Sequence, residues 1–289
     1  MVASIIFPPS VDDIIAKYTR RLGVARLSEW ATKLKLNFTA TNSSSVTLLA
    51  PTDDAITSAQ TKLGFPFDFQ FWSEHQRQLI LNHAVITESP LLFSQIVTNS
   101  NRTMSLQTSS TGGSIAIPPG SSAAGGPPLR LGPFDALVSS ADHIATDGVV
   151  HTVTQMIPPV SMNKTMYEWI RDHPNYTIFT TLIETAGLVG MLTDATVYGQ
   201  TLIVPSDDAF QRYADVVEFL KKPENGRYLR AVLQNHVFFY NLYSETVTSG
   251  TALLSYFKMT GFVFTDKYSG ALVINGVAFR PEDAVYAKK

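Results

Sequence analysis

Thr201-Leu202-Ile203-Val204-Pro205-Ser206-Asp207-Asp208-Ala209-Phe210 repeats a phrase that the chain has used before. Thr47-Leu48-Leu49-Ala50-Pro51-Thr52-Asp53-Asp54-Ala55-Ile56 stands 154 residues earlier (201 − 47). Each copy opens on an apolar run too short for a helix and closed by proline, which predicts a buried strand. The Thr or Ser after the proline predicts a helix N-cap, its hydroxyl accepting a hydrogen bond from a free first-turn amide. The two aspartates then sit at the positive end of that helix dipole. Paired carboxylates also suit metal binding or acid/base work, but capping accounts for both copies without a ligand.

Leu81-Asn82-His83-Ala84-Val85-Ile86 matches Gln234-Asn235-His236-Val237-Phe238-Phe239 in the same way, with the histidines 153 residues apart (236 − 83). Two motifs in one order at nearly one offset predict two copies of one domain. With Asp147-Gly148-Val149-Val150-His151-Thr152-Val153, these phrases resemble the tandem fasciclin-domain proteins of the fungal secreted type. The resemblance spans nearly the whole chain. It implies an α+β fold: two fasciclin-like domains in tandem, each a wedge-shaped β-sandwich with helices packed around it. The expected domains are residues 1–160, with a Pro/Gly-rich insertion at 111–128, and residues 161–289.

The second copy is expected to lack its closing strand. Asp283-Ala284-Val285-Tyr286-Ala287 aligns with Asp142-His143-Ile144-Ala145-Thr146, and the stretch from Gly148 to Met156 has no counterpart after it. An absent central strand leaves ladder amides unpaired. The expectation is that residues beyond Lys289, or some other element, fill the gap.

Composition narrows the function classes. The chain has 289 residues, enough for two domains, and 45% of them are hydrophobic, enough for real cores. Its 22 basic and 24 acidic residues form no basic stripe, which gives no electrostatic case for nucleic acid. No apolar run approaches the roughly 18 residues a membrane span needs. With no cysteine there is no disulfide framework, thiol nucleophile or cysteine metal site. Five of the 11 asparagines, Asn37, Asn42, Asn101, Asn163 and Asn175, sit in Asn-x-Ser/Thr acceptors. Chance predicts about two such matches in a chain of this composition. N-glycans at these positions and passage through a secretory pathway are therefore expected. The start, Met1-Val2-Ala3-Ser4-Ile5-Ile6-Phe7, has neither the basic start nor the long apolar core of a signal peptide. The C-terminus carries no GPI-type signal.

Along the chain, helical spacing is predicted from Val11 to Leu36, with Ser10 as N-cap, and from Glu74 to Leu81. Phe65 to Trp72 is an aromatic-dense loop. Residues 86–110 hold short strand-like runs, including Met104-Ser105-Leu106. Thr111 to Pro128, with its Gly-Gly and Pro-Pro pairs, reads as unable to hold a packed element. It is either a mobile surface insertion or a lid. In the second copy, helices are predicted over Thr165–His173, Thr177–Leu188 (ended by Gly187 and Gly190), Asp207–Phe219 and Gly226–Asn235. Strands and hairpins follow, with an Asn275-Gly276 turn.

Chemistry is harder to find. The chain has no Gly-x-Ser-x-Gly elbow, no His-Glu-x-x-His, no phosphate loop and no dinucleotide fingerprint. Its six histidines show no zinc spacing, and no cofactor or metal is expected. The plain reading of His83 and His236 is a buried, hydrogen-bonded structural histidine. Aromatics crowd the second copy after His236, more than can all be buried on alternating strand faces, so some are expected at a groove or interface.

Two functions stay open. The first is a secreted protein that binds a hydrophobic small molecule between its domains. It would promote cyclisation, such as a cycloaddition, or coupling of polyketide or terpenoid precursors, alone or beside a partner oxidase. This follows what the resemblance implies for some fungal fasciclin-like proteins. Such a role needs near-attack positioning and a few hydrogen-bond donors, not a nucleophile. The candidate catalytic donors are His83, His236, Arg130, Tyr240 and Arg280. The second function is extracellular adhesion or matrix interaction without catalysis.

Overall fold

The computed structural model describes residues 7–38, 44–63, 72–98, 104–110, 113–117, 130–194, 199–243, 247, 249–258, 260–265, 272–274, 277–279, 285 and 287. Two compact units divide the chain, residues 1–163 and 164–289.

Unit one begins with three short helices, α1 (Val11–Lys17), α2 (Thr19–Leu22) and α3 (Ala25–Lys33). Ser10 caps α1 as its sequence suggests, accepting from Asp13 N at 3.1 Å. Ile14, Ile15, Leu22, Val24, Leu27 and Trp30 are buried, while Tyr18 of the same stripe stays exposed. The chain then enters β1 (Ser45–Pro51), the first copy of the repeated phrase, and α4 (Asp53–Leu63). Leu48 and Leu49 are both 0% exposed, so β1 is buried on both faces. That is why it reads as a continuous apolar run, not an alternating one. Pro51 closes the strand because it has no amide to give the ladder.

After α5 (Ser73–Leu81) come β2 (Ala84–Thr87), α6 (Phe93–Thr98), β3 (Met104–Gln107) and β4 (Ser114–Ile117). The unit ends with β5 (Arg130–Leu131), β6 (Ala136–Ile144) and β7 (Gly148–Val153). One sheet has the order β2-β1-β7-β6-β5, with β1 antiparallel to β2 and parallel to β7. The β3–β4 hairpin faces it across a core of Leu49, Val85, Ile96, Leu106, Ile115, Ile117, Leu131, Val153 and Ile157. On the helical side, α1 packs on β7 and α3 packs on α1, α4 and α5.

One sequence expectation needs correction here. The stretch read as unable to hold a packed element contains β4, with Ile115 and Ile117 buried in that core. The alternation Ser-Ile-Ala-Ile carries the strand despite the flanking glycines and prolines. The rest of that stretch, 111–112 and 118–128, lies outside the described residues, as does the aromatic loop up to residue 71. Residues 86–110 hold the expected strand-like run Met104-Ser105-Leu106 as β3, and α6 lies among them as well.

A 3-10 turn (Val160–Asn163) closes unit one, and unit two opens with α7 (Met166–Arg171), α8 (Thr177–Thr185) and α9 (Val189–Thr193). Thr165 and Glu168 form a capping box on α7. Gly187 follows α8 in the left-handed region at φ 66° and ends it as predicted. Gly190 does not, because it sits inside α9. Next come β8 (Thr201–Leu202), α10 (Asp207–Gln211), α11 (Ala214–Lys221), α12 (Gly226–Gln234) and β9 (Val237–Phe238). The single helix expected over Asp207–Phe219 is two, broken at Arg212-Tyr213. A second sheet has the order β10 (Ala252–Leu254), β11 (Thr260–Thr265), β12 (Leu272–Ile274) and β13 (Val277–Phe279). Ile274 pairs with Val277, the register an Asn-Gly turn demands, although residues 275–276 themselves lie outside the described residues. Both units mix helices with sheets, so the fold is α+β.

Candidate functional site

The duplicated acids are structural, and their reach is longer than the sequence suggests. Thr52 and Ser206 cap α4 and α10, each accepting from an amide three residues on at 3.3 Å. The first aspartate of each pair turns to a different helix. Asp53 accepts from Ala25 N at 3.3 Å and Arg26 N at 2.8 Å, at the start of α3. Asp207 accepts from Thr177 N at 3.2 Å and Ile178 N at 2.9 Å, at the start of α8. Neither α3 nor α8 has a side-chain cap of its own. The repeated carboxylate therefore caps a partner helix and fixes it to the strand–helix junction. Among the described residues, no three His, Asp or Glu side chains gather as a metal would require.

The Asn-His phrase is also structural in unit one. Asn82 and His83 are fully buried at the end of α5. His83 Nδ1 lies 2.8 Å from Leu79 O, and Nε2 accepts from Ile157 N at 2.9 Å. The ring is a neutral tautomer with both nitrogens engaged. Burial pushes its pKa down to about 4, against a smaller opposing effect of the Leu79 carbonyl. Asn82 Nδ2 donates to Ile157 O at 2.8 Å, and Asn82 Oδ1 accepts from Thr108 and Ser110. Together the two side chains hold both backbone groups of one residue just past β7. His151 in β7 works alike, facing Leu91 O at 2.9 Å and accepting from Asp142 N at 3.0 Å.

Unit two repeats these contacts up to a point. His236 Nδ1 lies 2.8 Å from Val232 O, and burial lowers its pKa from the usual imidazole value. Ser255 Oγ donates to Asn235 Oδ1 at 2.8 Å, as Thr108 does to Asn82. Ile203 N bonds His236 O at 2.9 Å, as Leu49 N bonds His83 O. Among the described residues, however, no strand lies on the other edge of β8, which pairs with β9 alone. Residues 201–205 are half-buried where their counterparts in β1, 47–51, are buried.

The other candidate donors are not brought together. Arg130 is at the surface in an ion pair with Asp135 at 3.0 Å. The Tyr240 hydroxyl donates to Ala252 O at 3.1 Å and accepts from Leu254 N, pinning β10. Arg280 lies outside the described residues. His83 and Arg130 belong to unit one, His236 and Tyr240 to unit two. The grouping of these five as one catalytic set is therefore not met by the described residues. Each of the four described is engaged by its own unit.

What the sequence did not single out is an exposed apolar face on α11 and α12. Tyr213 is 64% exposed, Phe219 46% and Tyr228 45%, with Val216 and Val232 also exposed. The Phe219 and Tyr228 rings touch, with centroids 6.1 Å apart, and the Arg227 guanidinium lies over Tyr228 at 4.6 Å. The signal was readable, since Val216 and Phe219 share a helix face while Val217 and Leu220 take the core. The expectation of exposed aromatics after His236 also holds, at Phe239 and Phe257.

The family described as the fasciclin domain matches twice, at residues 23–159 and 174–286. No curated protein matches the chain. Among solved structures, a FAS1 domain pair from the insect cell adhesion molecule fasciclin I is similar at 16% identity and a TM-score of 0.40, covering 89% of each chain.

Proposed function

The chain belongs to the fasciclin family, with two fasciclin domains in tandem, and we propose that it is an extracellular interaction protein that binds polypeptide partners without chemistry of its own. The observation that carries this reading is the engagement of His83, His236, Arg130 and Tyr240 by their own units. A donor already bonded to backbone is a poor polariser of a substrate carbonyl. The exposed ring and aliphatic face of α11 and α12 supports it from the other side, since clustered exposed aromatics suit a protein interface. Secretion is part of the proposal. Asn163 and Asn175, two of the five acceptor asparagines, are exposed and open to a glycan. No described helix is long and apolar enough to cross a membrane. The test is adhesion of cells or matrix to beads carrying the purified protein. Attachment that falls at least several-fold in a Tyr213→Ala, Phe219→Ala, Tyr228→Ala variant is expected. Attachment no better than on bare beads would reject the reading.

A second reading keeps the small-molecule function, because Phe239 and Tyr256 stack at 4.6 Å with Phe239 exposed, an apolar platform a flat ligand could share. In that case the protein promotes cyclisation or coupling of polyketide or terpenoid precursors, alone or beside an oxidase. Incubation with such precursors would then change the product ratio, and Phe239→Ala would abolish the change. An unchanged ratio leaves the interaction reading.

A further inference from the structure

We propose that Asn175 carries an N-glycan whose first N-acetylglucosamine packs on the His173 ring, so that the sugar is part of the folded surface of unit two. This rests on the secretion part of the reading above and adds a structural role for one glycan. Of the five acceptor asparagines, Asn175 is the one with an aromatic ring two residues before it. His173 stands there, whereas Lys35, Ala40, Asn99 and Ser161 stand before Asn37, Asn42, Asn101 and Asn163.

The backbone at Asn175 is fixed. His173 to Tyr176 form a turn, closed by Tyr176 N on His173 O at 3.4 Å. Pro174 takes its second position, where proline sets φ in advance. Asn175 N donates to His173 Nδ1 at 3.3 Å, and Asn175 O accepts from Asp207 N at 2.8 Å. Both main-chain groups of the acceptor residue are therefore engaged. Its side chain is exposed, and among the described residues the carboxamide makes no hydrogen bond.

The ring beside it belongs to a cluster. His173 stacks on Trp169 with centroids 5.1 Å apart, and on Tyr176 with centroids 4.7 Å apart. Trp169 and Tyr176 are themselves 5.6 Å apart. These two pack against the core of unit two, yet all three rings are only half-buried. The cluster is thus anchored on one side and leaves apolar ring surface in water on the other. A pyranose has a face of C–H bonds that can cover such a surface. Turn and ring are set before the sugar arrives, so covering them costs little further ordering. The attachment joins Asn175 Nδ2 to the anomeric carbon of the sugar. The bond broken is that carbon's bond to the diphosphate of a lipid-linked oligosaccharide donor; the diphosphate leaves with the electron pair and takes up the amide proton.

The test sends the 289-residue chain, behind a cleavable secretion leader, through a glycosylating eukaryotic host. Peptide mass spectrometry reads the occupancy of each sequon. Glycans are then trimmed to the first sugar, and thermal unfolding compares the native protein with Asn175→Gln, His173→Ala and the double variant. Thr177 is left in place because its hydroxyl donates to Asp207 at 2.7 Å. Asn175 should be occupied. Asn175→Gln should lower the midpoint by about 2–6 °C where His173 is present and by under about 1 °C where it is not. The same proteins made in bacteria should show no difference between Asn175 and Gln, which separates loss of the sugar from loss of the asparagine. A bare Asn175 overturns the proposal, as does a sugar effect that is absent or that survives His173→Ala. The leader forces passage through the pathway, so these outcomes concern the site alone. Secretion is read separately, by searching for the native chain in the medium of its own cells. Its absence there rejects secretion, and the native glycan with it, whatever Asn175 accepts in the host.

Discussion

Asp53 and Asp207 do different work from the aspartates beside them. The first of each pair receives two amides from the start of another helix, while Asp54 and Asp208 are exposed and carry no such bond. Losing a helix cap costs about 1 kcal/mol, and up to about 2 where the helix end has no alternative. Asp53→Ala should therefore lower the unfolding free energy of unit one by about 1–2 kcal/mol, and Asp54→Ala by under about 0.5 kcal/mol. Urea unfolding of the two variants compares them directly. His83 gives a pH signature. Its folded pKa is pushed down to about 4, while an unfolded histidine titrates near 6.5. Between those values the unfolded chain takes up a proton that the folded unit refuses. Stability is therefore full above about pH 6.5 and falls as pH drops toward 4, by about 3 kcal/mol in total, with no further loss from this group below that. His151, whose pKa burial also lowers, acts in the same direction. Unfolding followed between pH 7 and 4 should slope downward in the native protein and less steeply in His83→Gln. The sequence pointed to capping hydroxyls and a bonded histidine because those signals are local. It could not show that Asp53 reaches back to Arg26, or that His83 meets Ile157. Such contacts join residues far apart in the chain and leave no periodic trace.

At the scale of elements, β1 shows how much a short phrase can specify. Apolar run, proline, hydroxyl cap and acid predicted a strand and a helix, and both are there. The elements missed were those whose local composition argued the other way. β4 sits between glycine and proline clusters, and its alternation over four residues was outweighed by them. The segment Phe93–Thr98 is only six residues, too short for helical periodicity to declare itself. β7 depends on one position. Gly148 has no room for a Cβ beside Val46 O, and backbone cannot yield as a flexible side chain can. Gly148→Ala should push β7 off β1 at that end and destabilise unit one by at least about 1–3 kcal/mol. Thermal unfolding is the check; an unchanged midpoint would show that the strand does not need this close approach.

For the whole molecule, the account is of one domain plan used twice, with the closing strand present, among the described residues, in unit one. Unit one encloses its central strand between β2 and β7, and the Asn-His pair locks the end of that closure. Unit two repeats the helix caps, the bridge at Phe238 and the Asn-His pair, yet among the described residues its central strand has one neighbour. The duplication was plain in the sequence because two phrases recur in order. The role of the Asn-His pair as a strand receptor was not, because its partner atoms belong to a backbone whose sequence is free to vary. Hydrogen exchange at the two central strands is the most direct measurement. Val46 N and Thr52 N bond β7-side carbonyls, and strand alternation aims Leu48 N and Ala50 N the same way. The equivalent amides of unit two are those of Leu202, Val204 and Ser206. The prediction is slow exchange at Leu48 and Ala50 and fast exchange at Leu202 and Val204, with Ile203, bonded to His236 O, protected between them. Equal protection of all four amides in the isolated protein would mean that the edge of β8 is already covered, and would contradict the account.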